Sequence, residues 1–413
     1  MKKIFILRHI LNIFLIILIL CKTSIAENNT VPKITVETST FRKIIIRVPD
    51  IKNEPTNLGY SLSELLRKLI NYHLFTLALK EPPLPGLKME EYFLNCTFEK
   101  RSSKICIHGT FFSNFSHFKK TFRICGSSKK PEWLIYALCN WIIEKVSSYK
   151  GLAFTRVVFV RRIPQGDRLY IMDFSKRNLK FLDSGEMILF PKFSFSGEKL
   201  AYLIYSKGHY ILKILNLITG KDKLFSEPGL CSAPLWLPGD KKLVLTLLKE
   251  GNIGIYLFDI TTGTLIPLLK GEGILQAGSV SQDGRYLAFV WDKGAGSQIY
   301  IYDLKKHILE RISYKGKNNV SPRFSPTKKE LLYISLRTSG SYLVFYDLNK
   351  HTFQELKFAG YIEDPVFSPT GDYILAKADT ASGNGIYLIH LDSRLIFLYL
   401  PGRSFLFPDW TSF

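Results

Sequence analysis

The sequence predicts a two-domain protein: a small α/β N-terminal domain followed by a six-bladed all-β propeller closed by the C-terminal strand. Three observations predict it. A Pro-x-aromatic-Ser type motif recurs six times, centred on Phe193, Trp236, Val280, Phe324, Phe367 and Trp410, at intervals of 43 or 44 residues. A period of about 40 to 50 residues carried on short β-type runs is the signature of propeller blades. The sixth copy stands three residues from the C-terminus, with its remaining strands upstream of the first copy. Residues 27–150 follow a different pattern, in which helical and strand-like segments mix.

Each period carries the same four parts. After the aromatic comes a turn such as Ser196-Gly197, Pro238-Gly239-Asp240, Asp283-Gly284, Pro326-Thr327 or Pro369-Thr370-Gly371, which supplies hairpin backbone angles. The second strands, such as Leu200–Tyr205, Leu243–Leu247 and Tyr286–Val290, are nearly unbroken apolar runs, as expected of strands buried on both faces. Third strands end at Asn216, Asp259, Asp303, Asp347 and His390. A side-chain oxygen there can cap the turn to a fourth strand, a rule that His390 breaks. A four-stranded sheet with two greasy faces needs a neighbour on each side, and a ring satisfies all of them. The first-strand aromatic is the expected wedge between blades. Blade six takes Thr155–Val160, Arg168–Asp173 and Leu179–Leu182 as its second to fourth strands, with Asp173 placed 43 residues before Asn216.

In the N-terminal region, Phe41–Val48 reads as a strand and Ser61-Leu-Ser-Glu64 as a capping box opening a helix with Leu62, Leu65, Leu66, Leu69 and Ile70 on one face. Tyr92–Phe98, Lys104–His108 and Phe118–Ile124 read as antiparallel strands, and a second helix begins near Pro131. Ahead of them, Lys2, Lys3 and Arg8 precede the apolar run Ile10–Leu20, and Ser24-Ile25-Ala26 has the form of a secretory cleavage site. Residues 1–26 are therefore expected to be a cleaved signal peptide. An uncleaved anchor is the poorer reading because the run is short and holds Asn12; Leu20 argues against a lipoprotein signal at Cys21. The expected domains are 27–150 and 153–413.

The chain has 413 residues, 46% of them hydrophobic and 14% aromatic, enough for two cores and too apolar for a disordered chain. Signal removal takes four of 56 basic residues, so 52 stand against 35 acidic ones and the mature net charge is +17. Residues 27–152 hold 19 Lys and Arg against 11 Asp and Glu, the denser charge of the two domains. Such a chain suits anionic lipid, acidic polysaccharide or an acidic protein. Nucleic acid is not expected, since no helix-turn-helix, zinc-finger or ribonucleoprotein motif occurs. Cys96, Cys106, Cys125 and Cys139 cluster in the N-terminal region, with Cys231 apart. Their pairing stays open: Cys96 and Cys106 fall on adjacent strands and could pair, or the thiols could be buried and free. No Cys-x-x-Cys spacing points to a metal. No Gly-x-Ser-x-Gly, His-Glu-x-x-His, phosphate loop or dinucleotide fingerprint occurs, so no catalytic residue, metal or cofactor is expected. A secreted propeller enzyme or a carbohydrate-binding protein is the alternative reading.

Trp133-Leu134 on the second helix, Gly151–Val160, the Phe-Ser-Pro and Asp-Gly turns and the terminal Phe407–Thr411 together resemble the TolB family of periplasmic propellers in the Tol-Pal system. The resemblance implies a monomeric, non-enzymatic periplasmic scaffold. One propeller face would bind a Pal-like peptidoglycan-associated lipoprotein, and the N-terminal extension Glu27, Asn28, Asn29, Thr30 would meet a TolA-like inner-membrane protein, supporting outer-membrane integrity and constriction at cell division. The face residues it implies are Ser232, Ala233, Gln276, Tyr314, Lys317, Asn318, Asn319, Tyr361, Glu363, Asp364 and Phe405, with Tyr314, Tyr361 and Phe405 as aromatic anchors. Glu363 and Asp364 are expected in a loop. The loops at Leu230-Cys231 and Leu275-Gln276 depart from the family pattern.

Overall fold

A computed structural model describes residues 43–51, 58–81, 90–101, 103–226, 229–230 and 232–412. The signal segment, the extension at Glu27–Thr30 and Cys231 lie outside them.

The N-terminal region forms β1 (Ile44–Arg47), α1 (Leu58–Tyr72), β2 (Thr76–Leu79), β3 (Glu91–Arg101), β4 (Lys104–Ser113), β5 (Lys119–Ser127) and α2 (Glu132–Val146). The sheet order is β2-β1-β3-β4-β5, with β1 parallel to both neighbours and the rest antiparallel. Both helices pack on one face, where Ile46, Leu65, Leu66, Leu69, Ile107, Phe111, Leu138 and Ile142 are buried. The expected capping box is overturned. Helix α1 begins at Leu58, one turn before Ser61, and Ser63 Oγ accepts the Ile51 N–H (2.9 Å), tying the helix to the chain that follows β1. Strand β2 has no counterpart in the sequence reading; its four residues are too few for a periodic signal.

The cysteine pairing also differs from Cys96–Cys106. Cys106 and Cys125 face each other across β4 and β5 and are disulfide-bonded. Cys96 opposes Gly109 instead, where a side chain could not fit: a Cβ on Gly109 would lie 2.1 Å from the Asn95 carbonyl oxygen. Cys96 and Cys139 are free and buried, and burial pushes the Cys96 thiol up to about 12.

Six four-stranded antiparallel sheets follow. Their first strands are Met187–Phe193, Leu235–Trp236, Ile274–Val280, Asn318–Phe324, Tyr361–Phe367 and Phe405–Ser412, each touching the next, and the last returns to the first. Closure follows the predicted strand pairing, in a register set by the structure: Phe405–Ser412 pairs with Thr155–Ile163, Trp410 opposite Val157 and Ser412 opposite Thr155. Gly166–Asp173 and Lys180–Gly185 complete blade six, the last strand running further than Leu182. Trp410 Nε1 donates to Thr155 Oγ1 (2.8 Å) and its ring stacks on Phe174.

The recurring proline has a definite task. Phe190, Ser321, Asp364 and Phe407 have φ between 49° and 54° and stand immediately before Pro191, Pro322, Pro365 and Pro408. The strand register shifts at each of these places. Proline has no N–H to give to a ladder, and a bulge is where a strand tolerates one. Beyond the bulge, blades are stitched together: Phe193 N–H donates to Asp409 Oδ2 (2.8 Å), Phe324 N–H to Ser279 Oγ (2.9 Å) and Trp236 Nε1 to the Lys192 carbonyl (3.0 Å). Phe193, Trp236, Phe367 and Trp410 are buried, as wedges must be. Third-strand caps form as expected, with Asn216 Oδ1 accepting from Ile218 and Thr219 (both 2.9 Å). His390 follows the rule by other means, since its Nδ1 accepts the Ser393 N–H (3.2 Å).

The N-terminal region docks on blades five and six. Tyr136 Oη donates to Asp173 Oδ2 (2.6 Å), Tyr373 Oη to the His73 carbonyl (2.8 Å) and Tyr149 Oη to Asp392 Oδ2 (2.7 Å), while beneath them Tyr399 Oη of blade five donates to the Phe174 carbonyl of blade six (2.7 Å). His73 is fully buried. Its Nδ1 bonds the Leu69 carbonyl (2.9 Å) and its Nε2 accepts the Leu152 N–H (3.1 Å), which fixes a neutral tautomer. The His390 ring packs among Phe75, Tyr149 and Tyr373. Desolvation holds both imidazoles down at about 4. One apolar cluster runs from the N-terminal helices into Val157, Phe174, Tyr399 and Trp410.

Candidate protein-binding end of the propeller

Docking uses the end of the ring where third strands turn into fourth strands, around Asp173, Phe174, His390 and Asp392. The opposite end carries the loops entering first strands and those joining second to third strands. The sequence-predicted propeller-face residues belong to that second end apart from Glu363 and Asp364, which lie within a first strand, and the structure divides them by exposure. Tyr314 is 70% exposed, and Lys317 and Asn318 are exposed beside it. Gln276, Tyr361, Glu363, Asp364 and Phe405 are half-buried. Ser232, Ala233 and Asn319 are buried.

Asn319 supports the loop. Its Nδ2 donates to Gln298 Oε1 and to the Lys315 carbonyl (both 3.0 Å). Gln298 Oε1 also accepts from Ser313 Oγ (2.7 Å), while Gln298 Nε2 reaches the carbonyls of Gly316 and Lys317 (both 3.2 Å). Ser313 Oγ in turn accepts the Ile299 N–H (2.8 Å). This network holds residues 313–319 as a shaped projection on which Tyr314 stands, its Oη on the Arg311 carbonyl (3.0 Å) and its ring under the Arg311 guanidinium. Gln298 is a residue that sequence reading missed. Its partners lie 15 to 21 positions away, so no local pattern announces it.

Glu363 and Asp364 do not form a loop. They lie inside the first strand of blade five, and Asp364 is its bulge residue with φ 49°. Glu363 pairs with Lys377, and burial together with Asp364 pushes its carboxyl above the usual range. Deeper in the ring, Lys192 pairs with Asp409 (3.0 Å) and Arg323 Nε donates to the Pro365 carbonyl (2.9 Å). Desolvation lowers the pKa of both cations. Phe405 lies against Phe159 at the edge of blade six, with Arg161 over its ring. Among the described residues, Ser232 Oγ and Asn319 Oδ1 are buried without a hydrogen-bond partner. Among the described residues no group of three or more His, Cys, Asp and Glu is placed to hold a metal ion.

Fold and site together define a two-domain β-propeller protein that covers one end of its ring with its own α/β region and leaves the other to solvent. The family follows from comparison: the model of the TolB beta propeller domain matches residues 143–413, and the chain belongs to that family. A protein TolB homolog of Chlorobaculum tepidum is 32% identical over 136 residues, 33% of this chain and 31% of the relative. A Tol-Pal system protein TolB of Desulfosudis oleivorans is 31% identical over 134 residues, 32% of this chain and 30% of the relative. The chain thus spans about a third of the length of the curated relatives it matches. The crystal structure of TolB from Acinetobacter baumannii shares the fold over 89% of this chain and 96% of its own, with a TM-score of 0.80 at 20% identity.

Proposed function

We propose that the protein is a periplasmic, non-enzymatic scaffold of the Tol-Pal system, exported by residues 1–26, with an α/β domain at 27–150 and a propeller at 153–413. Its uncovered propeller end grips a Pal-like peptidoglycan-associated lipoprotein. The extension at Glu27–Thr30 engages a TolA-like inner-membrane protein, and the linked contacts support outer-membrane integrity and constriction during division. The observation that carries this reading is the solvent-exposed Tyr314 on a loop pre-shaped by Gln298 and Asn319, at the end of the ring away from the docked domain. A rigid, aromatic, basic projection is what an interface hot spot requires, and Lys315 and Lys317 beside it favour an acidic partner surface.

The test is capture from a cell-envelope extract by the full mature chain, compared with the Tyr314→Ala/Tyr361→Ala double variant. The expected result is recovery of a peptidoglycan-associated lipoprotein by the parent, with affinity weakened by about 2 to 4 kcal/mol in the variant and an unchanged melting temperature. Equal capture by both proteins would refute the assignment of this end.

A further inference from the structure

The cleft between the two domains holds features that neither domain docking nor the proposed partner end accounts for. It encloses about 300 Å³ beside the Tyr136–Asp173 contact. Helix α2 contributes Trp133, preceded by Lys130; blade six contributes Arg156, Ile171, Met172, Lys180 and Leu182; blade one contributes Leu217. Three cations therefore surround an apolar floor. Trp133 is 41% exposed, uncommon for so large a ring, and the Lys130 ammonium sits 4.6 Å from its centre.

Two carboxylates share the wall, so Lys130, Lys180 and Arg156 against Glu132 and Asp173 leave one net positive charge, and the more buried of the two acids is already occupied. Asp173 spends both oxygens, Oδ2 on Tyr136 Oη and Asn178 Nδ2 (2.8 Å), Oδ1 on Ser175 Oγ (2.6 Å) and the Arg177 N–H (2.8 Å). Glu132 is the other carboxylate on the wall. Among the described residues neither Lys130 nor Lys180 forms an ion pair. Arg156 donates from Nη2 to the Gly197 carbonyl (3.0 Å), which anchors the guanidinium at the cleft. The wall formed by residues 173–180 is a third-to-fourth-strand turn with Lys176 at φ 64° and Asn178 at φ 51°, left-handed backbone that the turns at His307, His351 and Arg394 share.

From this placement we infer that the interdomain cleft binds an amphipathic carboxylate, whose apolar body lies on Ile171, Leu182, Leu217 and the Trp133 ring and whose carboxylate meets Lys130, Lys180 and Arg156. The volume stands at the lower end of small-ligand sites and suits one aromatic or branched side group with its acid. The group can come from the C-terminus of an extended peptide or from a free organic acid. Either would bridge the α/β domain and the propeller.

Calorimetric titration of the full mature chain tests this with three probes: N-acetyl-Ala-Phe, its C-terminal amide, and 3-phenylpropanoate. The expected result is saturable binding of at least one acid, no binding of the amide, and weakening by added salt. The Lys130→Gln/Lys180→Gln variant should bind that acid at least about tenfold more weakly, as expected for the loss of contacts to a charged group. Both lysines are exposed, so the fold survives their exchange, and an unchanged melting temperature verifies it. Tighter binding of the peptide or of the free acid assigns the source. Equal binding of acid and amide, absence of binding by both acids at millimolar concentration, or undiminished binding by the double variant would overturn the proposal.

Discussion

Acidification should weaken the packing of the α/β region on the ring, and the two buried histidines set the window. His73 and His390 both have pKa values near 4 in the folded protein, against 6.5 for an ordinary histidine. Burial excludes the charged form, so in acid the unfolded chain binds protons that the folded chain refuses. Stability is therefore intact above about pH 6.5 and falls as the pH drops towards 4. With those values, linkage gives a loss of about 2 kcal/mol per histidine between pH 7 and pH 5, and about 4 kcal/mol for the pair. Glu330, Glu363 and Asp372, whose carboxyls burial pushes up, act in the opposite sense, so variants must be compared rather than absolute stabilities. His390→Phe keeps a ring among Phe75, Tyr149 and Tyr373 and removes one titrating group. Urea unfolding at pH 7 and pH 5 should show the variant losing about 2 kcal/mol less than the parent over that interval. An identical loss in both proteins would refute the argument.

Other consequences are equally accessible. Deleting Leu406–Phe413 removes the strand that pairs with Thr155–Ile163 and exposes an unpaired edge; light scattering should report aggregation, and a monomer melting like the parent would contradict ring closure. Trp410→Ala removes a buried ring and its bond to Thr155 Oγ1, and should cost about 3 to 5 kcal/mol in chemical denaturation. Tyr136→Phe takes away the donor to Asp173, a loss of about 1.5 to 3 kcal/mol for a buried bond to a carboxylate, seen as a lower melting temperature. Gly109→Ala would press a Cβ onto the Asn95 carbonyl, so the β3–β4 pair should lose protection in hydrogen exchange.

What the sequence disclosed and what it hid divide along a physical line. Blade number, strand order and the terminal closure rest on a periodic signal repeated six times, and repetition averages out local ambiguity. The strand at Thr76–Leu79 and the true start of α1 are single, short features decided by tertiary contacts, such as Ser63 Oγ on the Ile51 N–H. Cross-strand facing decided the disulfide: the register puts Cys106 opposite Cys125 and leaves Cys96 against Gly109. At the candidate binding end, the sequence identified the loop bearing Tyr314 but not the side chain that shapes it. Gln298 belongs to the preceding hairpin and reaches the loop only through the twist and closure of the blade.

The two ends of the ring differ in how their order is maintained. At the docked end, order comes from burial: Phe174, Tyr373 and Tyr399 lie inside one continuous apolar cluster with the α/β helices, where the Tyr373 hydroxyl donates across the domain boundary to the His73 carbonyl and the Tyr399 hydroxyl donates within the ring to the Phe174 carbonyl. At the open end, the Tyr314 loop has no such cover and is held by hydrogen bonds among Gln298, Ser313 and Asn319. A partner meeting that loop need not organise it, so little conformational entropy is lost there on association and more of the contact energy appears as affinity. The same reasoning says where a weakened interface should originate. Asn319→Ala leaves Tyr314 and both lysines in place but releases the loop, so it should reduce partner affinity without removing a contact, the mark of a surface whose binding strength depends on its shape being set in advance.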